Sequence, residues 1–245
     1  MNYQGLITCT KYAFPPNSLG YCGPDAVNEI VSYMKQKKVD LGLKMMLEKF
    51  QTLYPYLKLI AFDNNISDPF NPLVVEAYWI GNSLLKNVSM KNFYNHLINV
   101  QNLKKKIKRK DLEYLVGKIP LGALPHHSFH VFNIFLRTGN FSTFHTLNTM
   151  DSCRIGWGKV VELKPLKVQV LTKPLVLIKG KLYLGNPVIK DILLEYKSNV
   201  ISAYPKIESY ISFHWNYYCD MLNVRQVENL EKYTKYSIYL ANQTI

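Results

Sequence analysis

Cys153-Arg154-Ile155-Gly156-Trp157-Gly158-Lys159-Val160-Val161-Glu162-Leu163 is the stretch on which the fold turns. Cys153 opens it, the two glycines around Trp157 read as a turn, and the β-branched run that follows reads as a strand. From Gly156 to Phe213 similar runs alternate with turns: Lys159–Leu163, Val168–Thr172, Leu175–Ile178, Lys181–Leu184 and Tyr210–Phe213. Within 176–184, Lys179-Gly180 is a two-residue hairpin turn. Short strands at this spacing predict a small β-barrel. After Asn223, Val227, Leu230, Tyr233 and Ser237 fall at helical spacing and predict a closing helix.

Upstream of Cys153 the pattern is helical. Val27, Ile30, Val31 and Met34 share one helix face after Pro24. Leu43, Met46, Leu47 and Phe50 predict a second helix, ending near Pro55. Val74, Ala77, Tyr78, Gly81, Leu84 and Leu85 predict a third, starting after Asn71-Pro72. Phe93, Leu97, Ile98 and Leu103 predict a fourth, and Leu112, Leu115 and Val116 a short fifth. Residues 1–23, with Pro15-Pro16 and Gly20 to Gly23, read as turns. The expected fold class is α+β: a mainly helical domain over 1–149, then a barrel with a C-terminal helix over 150–245.

The chain has 245 residues, 48% of them hydrophobic, enough for a sizeable core. No run reaches the ~20 apolar residues of a membrane span. Met1-Asn2-Tyr3-Gln4-Gly5 does not resemble a signal peptide, so the expected location is the cytoplasm and no membrane partner is expected. The four cysteines, Cys9, Cys22, Cys153 and Cys219, are scattered, which in a reducing compartment favours thiols, ligands or nucleophiles over disulfides. The net charge is +13 and favours acidic partners. Part of it is the cluster Lys104, Lys105, Lys106, Lys108, Arg109 and Lys110, which reads as a solvated helix end. Zinc-finger spacing and Arg-Gly repeats are absent from the sequence, so a basic nucleic-acid-binding protein is the weakest of the readings.

Two constellations carry chemistry. Cys153 enters the barrel and His214, in Ile211-Ser-Phe-His-Trp215, leaves it. Thiolate and imidazole are donors for a soft or borderline transition metal such as iron. In the first half, His126, His127 and His130 follow Pro125 in the apolar segment that runs to Phe135. Positions 126 and 130 share a face at i, i+4, as do 127 and 130 at i, i+3, so the three are candidate metal ligands. Cys22 stands just ahead of a helix start, the setting of a nucleophile, with His130 as its catalytic partner. Glu76 lies in an apolar helix and needs a partner, which a metal or a histidine would be.

Residues 150–242 resemble the HypC/HupF family of NiFe-hydrogenase maturation chaperones. Cys153, the turn, Lys159-Val-Val-Glu-Leu163, His214 and the helix from Val224 follow that family's order and spacing. Gly156-Trp157-Gly158 stands where the family has a proline, and Cys153 is internal where the family's cysteine is near-terminal. The whole chain also resembles an uncharacterised family associated with hydrogenase gene clusters. The resemblance implies an OB-like, HypC-like barrel. It implies that Cys153 and His214 hold an iron bearing cyanide and carbonyl. The partners it implies are a maturation scaffold protein and the hydrogenase large-subunit precursor. An enzyme of the same pathway, assembling the cofactor's diatomic ligands at an N-terminal Cys/His site, remains as an alternative.

Overall fold

The side-chain oxygen of Asn2 accepts a hydrogen bond from the Gly5 amide at 3.2 Å and opens the first helix, α1 (Tyr3–Ser18). The structure, a computed structural model, describes residues 2–36, 38–134, 136–137, 140, 143–196, 199–200 and 205–245. Phe135, the expected end of the histidine-bearing segment, lies outside the described residues. The expectation of turns over 1–23 is corrected by α1. Pro15 and Pro16 sit in its last turn, where each removes one backbone bond, while most of the helix is buried.

Five further helices follow the apolar periodicity, namely α2 (Val27–Gln36), α3 (Leu41–Glu48), α4 (Leu53–Asp63), α5 (Pro72–Trp79) and α6 (Met90–Asn95). Pro55 does not end a helix. It lies in the first turn of α4, where the missing N–H would have had no intrahelical partner. Asn71 caps α5 through the Leu73 amide at 2.9 Å, with Pro72 as the first helical residue. Then come α7 (Arg109–Gly117), α8 (His127–Ile134) and α9 (Leu147–Cys153). Every residue of α8 is buried, the polar His127, Ser128, His130 and Asn133 included, so each of these needs a partner inside the protein. The closing helix is α10 (Val224–Ala241), held at its start by a reciprocal pair: Gln226 N donates to Asn223 Oδ1 and Asn223 N to Gln226 Oε1.

The strands are β1 (Leu136–Arg137), β2 (Thr143–Phe144), β3 (Gly156–Lys164), β4 (Lys167–Thr172), β5 (Leu175–Ile178), β6 (Lys181–Leu184), β7 (Val188–Leu193), β8 (Glu195–Tyr196), β9 (Asn199–Val200), β10 (Tyr210–His214) and β11 (Tyr217–Leu222). The pairs β1–β2, β5–β6 and β8–β9 stand as separate two-stranded sheets. The other five strands form one mixed sheet. In it β10 pairs antiparallel with β3 and β11, β3 with β4, and β4 with β7, and β11 meets β7 in parallel at Tyr217–Leu193, so the sheet closes on itself. Val160, Val168, Val170, Ile192, Ile211 and Phe213 form a core cluster within this sheet. Lys179 and Gly180 turn between β5 and β6 with φ of 48° and 78°, the pairing the sequence predicted. The strands β7 and β11 were not foreseen.

α1 packs on β10 and β11, and α10 packs on α8. The largest core cluster joins Leu6, Tyr56, Val74 and Phe129 to Ile155, Cys219, Leu230 and Tyr233, and so draws on residues from both sides of position 150. Two glycines are needed for close approach. A Cβ on Gly5 would lie 1.6 Å from the Phe70 carbonyl oxygen, and one on Gly156 would lie 2.1 Å from the Phe213 ring. No described helix is long and apolar enough to cross a membrane.

Candidate metal centre

His214 is the last residue of β10, at the tip of the hairpin with β11. Trp215 and Asn216 form the turn, with φ of 49° and 65°. The Trp215 amide donates to the Ser152 carbonyl at 2.8 Å, which ties the hairpin tip to the end of α9. Cys153 is the last residue of α9 rather than part of a turn, so its carbonyl has no partner within the helix. His127 Nε2 fills that place at 2.7 Å, and because a carbonyl only accepts, this nitrogen carries the proton. Nδ1 of His127 then accepts from the Tyr78 hydroxyl at 3.2 Å.

His214 is oriented in a similar way. Pro16 has no N–H to give the Tyr12 carbonyl four residues earlier in α1. His214 Nδ1 donates to that carbonyl at 2.8 Å instead. The lone pair of the neutral ring is therefore on Nε2. The Cys153 carbonyl also acts on this ring, but with the proton on Nδ1 the Nε2 atom has none to donate to it, and Nε2 of His214 is a buried atom with no hydrogen bond.

His127, Cys153 and His214 come together with one donor atom of each within 4.8 Å of the others. A four-coordinate ion with bonds of 2.0–2.3 Å would hold such atoms about 3.5 Å apart, so the three need to draw in by about an ångström. Burial pushes His214 down to about 4 and His127 well below the usual histidine value, so both rings are neutral at physiological pH. The three line a cavity of about 50 Å³. At ~10–15 Å³ per water this is room for a few diatomic-sized ligands beside an ion, and not for an organic substrate. Tyr78, Trp79, Phe50 and Leu53 make its apolar wall, and Cys22 also lines it.

Other candidates lie elsewhere. His130 pairs with the Tyr56 hydroxyl at 3.0 Å, and burial pushes it down to about 3. His126 accepts from the Ser128 amide at 3.2 Å and stacks on Tyr233. Neither belongs to the three-donor group or lines the cavity. The shared face at i, i+4 therefore brings 126 and 130 to no common ion, because α8 is buried on every side and each of its histidines meets a different neighbour. Nor does His130 stand beside Cys22 in the cavity lining. Glu76 is half-buried and satisfied by Asn82 Nδ2 at 3.2 Å and Gln226 Nε2 at 2.9 Å, which joins α5 to α10. Burial pushes the Cys9 thiol up to about 12 and Cys219 well above its ordinary value, so neither is a ready thiolate.

As residues of the site, Tyr12, Tyr78 and Trp79 escaped the sequence reading. Pro16, four residues beyond Tyr12, was the available signal for the first.

No curated protein and no solved structure matched the chain, and the comparisons give no link to the HypC/HupF chaperones. A family model matches the full length, without any tie to hydrogenase gene clusters. Over residues 1–245 the chain belongs to DUF6390, a family of unknown function.

Proposed function

We propose that this protein binds a soft or borderline transition metal through His127, Cys153 and His214, and that it serves NiFe-hydrogenase maturation. In this reading it receives an iron bearing cyanide and carbonyl from a scaffold protein and passes it to the large-subunit precursor. The observation that carries the metal site is the orphaned Nε2 of His214, buried beside a thiol and a second neutral imidazole. A buried polar atom without a partner is costly, and an ion at that point removes the cost. Whichever nitrogen of His127 turns to the ion, the other keeps a partner, the Cys153 carbonyl or the Tyr78 oxygen. The size of the cavity and the donor set suit an iron with small strong-field ligands. The barrel with its closing helix would then be a HypC-like, OB-like unit, and the location cytoplasmic.

The presence of Cys22 in the same cavity favours a second reading, an enzyme that assembles the ligands on the metal. One experiment separates the two. Protein purified without oxygen from a hydrogenase-producing host is compared by infrared spectroscopy with its Cys153→Ala variant. Cyanide and carbonyl bands that vanish in the variant support the carrier. Bound metal with no such bands in either protein contradicts the carrier and favours the enzyme.

A further inference from the structure

We propose that Cys22 supplies a second thiolate, making the centre a four-donor site of two imidazoles and two thiolates. This rests on the reading of His127, Cys153 and His214 as a metal site. Three observations carry it.

Cys22 lines the same cavity as the three donors, although it lies over a hundred residues from His127 in sequence. Its sulfur stands outside the group whose donor atoms lie within 4.8 Å of one another, so the Cys22 turn has to close on the ion to complete the site.

The turn bearing Cys22 is clamped in place. Asn17 Nδ2 donates to the carbonyls of Cys22 at 2.9 Å and Pro24 at 2.7 Å. Asn140 donates to those of Tyr21 at 2.9 Å and Gly20 at 3.2 Å. The Tyr21 ring packs 4.7 Å from that of Trp215, the neighbour of His214, so the two arms of the site hold each other. Gly23, at φ +85°, lies flush on Phe50, where a Cβ would be 2.4 Å from the ring. A positioned turn of this kind presents its side chain in one direction.

The third observation is charge. Before any anionic cyanide joins it, a divalent ion with one thiolate and two neutral imidazoles keeps a net positive charge in a buried, apolar-walled cavity, which is expensive. No carboxylate occurs among the described residues of the lining. The Tyr78 phenol is held far above its ordinary value, so it stays protonated. A second thiolate from Cys22 brings the centre to neutrality. The reaction is a plain exchange: each thiol gives its proton to solvent as its sulfur binds the ion, and nothing is oxidised or reduced.

The test uses the reduced, metal-free full chain titrated with cobalt(II). A sulfur-to-cobalt charge-transfer band should appear and fall by about half in Cys22→Ser and Cys22→Ala, one of two thiolates being lost. In parallel, cobalt should protect both Cys22 and Cys153 from iodoacetamide, read by mass spectrometry, while Cys9 and Cys219 stay buried at 0% exposure and unlabelled with or without cobalt. A band unchanged in the Cys22 variants but lost in Cys153→Ser overturns the second thiolate and leaves the three-donor site standing. A band absent from the unaltered protein, or unaffected by Cys153→Ser, overturns both.

Discussion

Pro16 and His214 lie nearly two hundred residues apart, yet one explains the orientation of the other. The proline leaves the Tyr12 carbonyl open, and the imidazole takes it through Nδ1. That bond fixes the tautomer and leaves the lone pair on Nε2. Pro16→Ala restores a competing N–H. It should weaken cobalt(II) binding by roughly tenfold, the scale of losing a group that orients a ligand, while the fold persists. Isothermal titration beside circular dichroism checks this, and unchanged affinity would count against the role assigned to the Tyr12 carbonyl. At this scale Cys153 and His214 were legible, because a thiol and an imidazole at the two ends of a strand-rich segment stand out in sequence. The choice among His126, His127 and His130 was not. Three histidines within five positions at the start of a wholly buried helix differ only in what packs against each, and that is set by α4, α5, α9, α10 and β10, which are remote in the chain.

α1 is the element that sequence patterning conceals. Two adjacent prolines and a glycine read as turn chemistry, whereas tertiary burial holds the helix through Pro15 and Pro16. Its fit on the neighbouring chain is tight at Gly5, where an added Cβ meets backbone and not a movable side chain. Gly5→Ala should lower stability by about 1–3 kcal/mol or more, since the Phe70 carbonyl has to shift. Denaturant unfolding measures this, and a loss below about 0.5 kcal/mol, the range of an ordinary surface change, would show that α1 sits less closely there. The hairpin β5–β6 and the helix α10 were plain from sequence because a Lys-Gly turn and the helical spacing of Val227, Leu230, Tyr233 and Ser237 are local signals. β7 and β11 lack such signals, and their pairing depends on partners far along the chain.

Across the whole molecule, five histidines are buried and neutral. His96, His126 and His130 are pushed down to about 3, His214 to about 4, and His127 well below its ordinary value, in each case first by burial. The unfolded chain takes up protons near pH 6.5 while the folded chain refuses them until near pH 4 or below. The unfolded state therefore binds more protons in that window, and stability is complete above pH 6.5 and falls as the pH drops toward 4. Each histidine contributes a slope of up to about 1.4 kcal/mol per pH unit, so the combined loss is steep. Denaturant midpoints at pH 7.5 and pH 5 should differ sharply, with the loss already well under way before most carboxylates titrate. Equal midpoints would mean that these rings are hydrated in solution.

The proposed metal centre spans all three scales: an orphaned nitrogen, the ends of α9 and β10, and a cavity lined by residues from both halves of the chain. The metal content of protein purified without oxygen, beside Cys153→Ala and His214→Ala, tests it most directly. Stoichiometric transition metal in the unaltered chain, lost in both variants while their folds persist, is the predicted result. Metal absent from the unaltered chain, or retained equally in all three proteins, would contradict it.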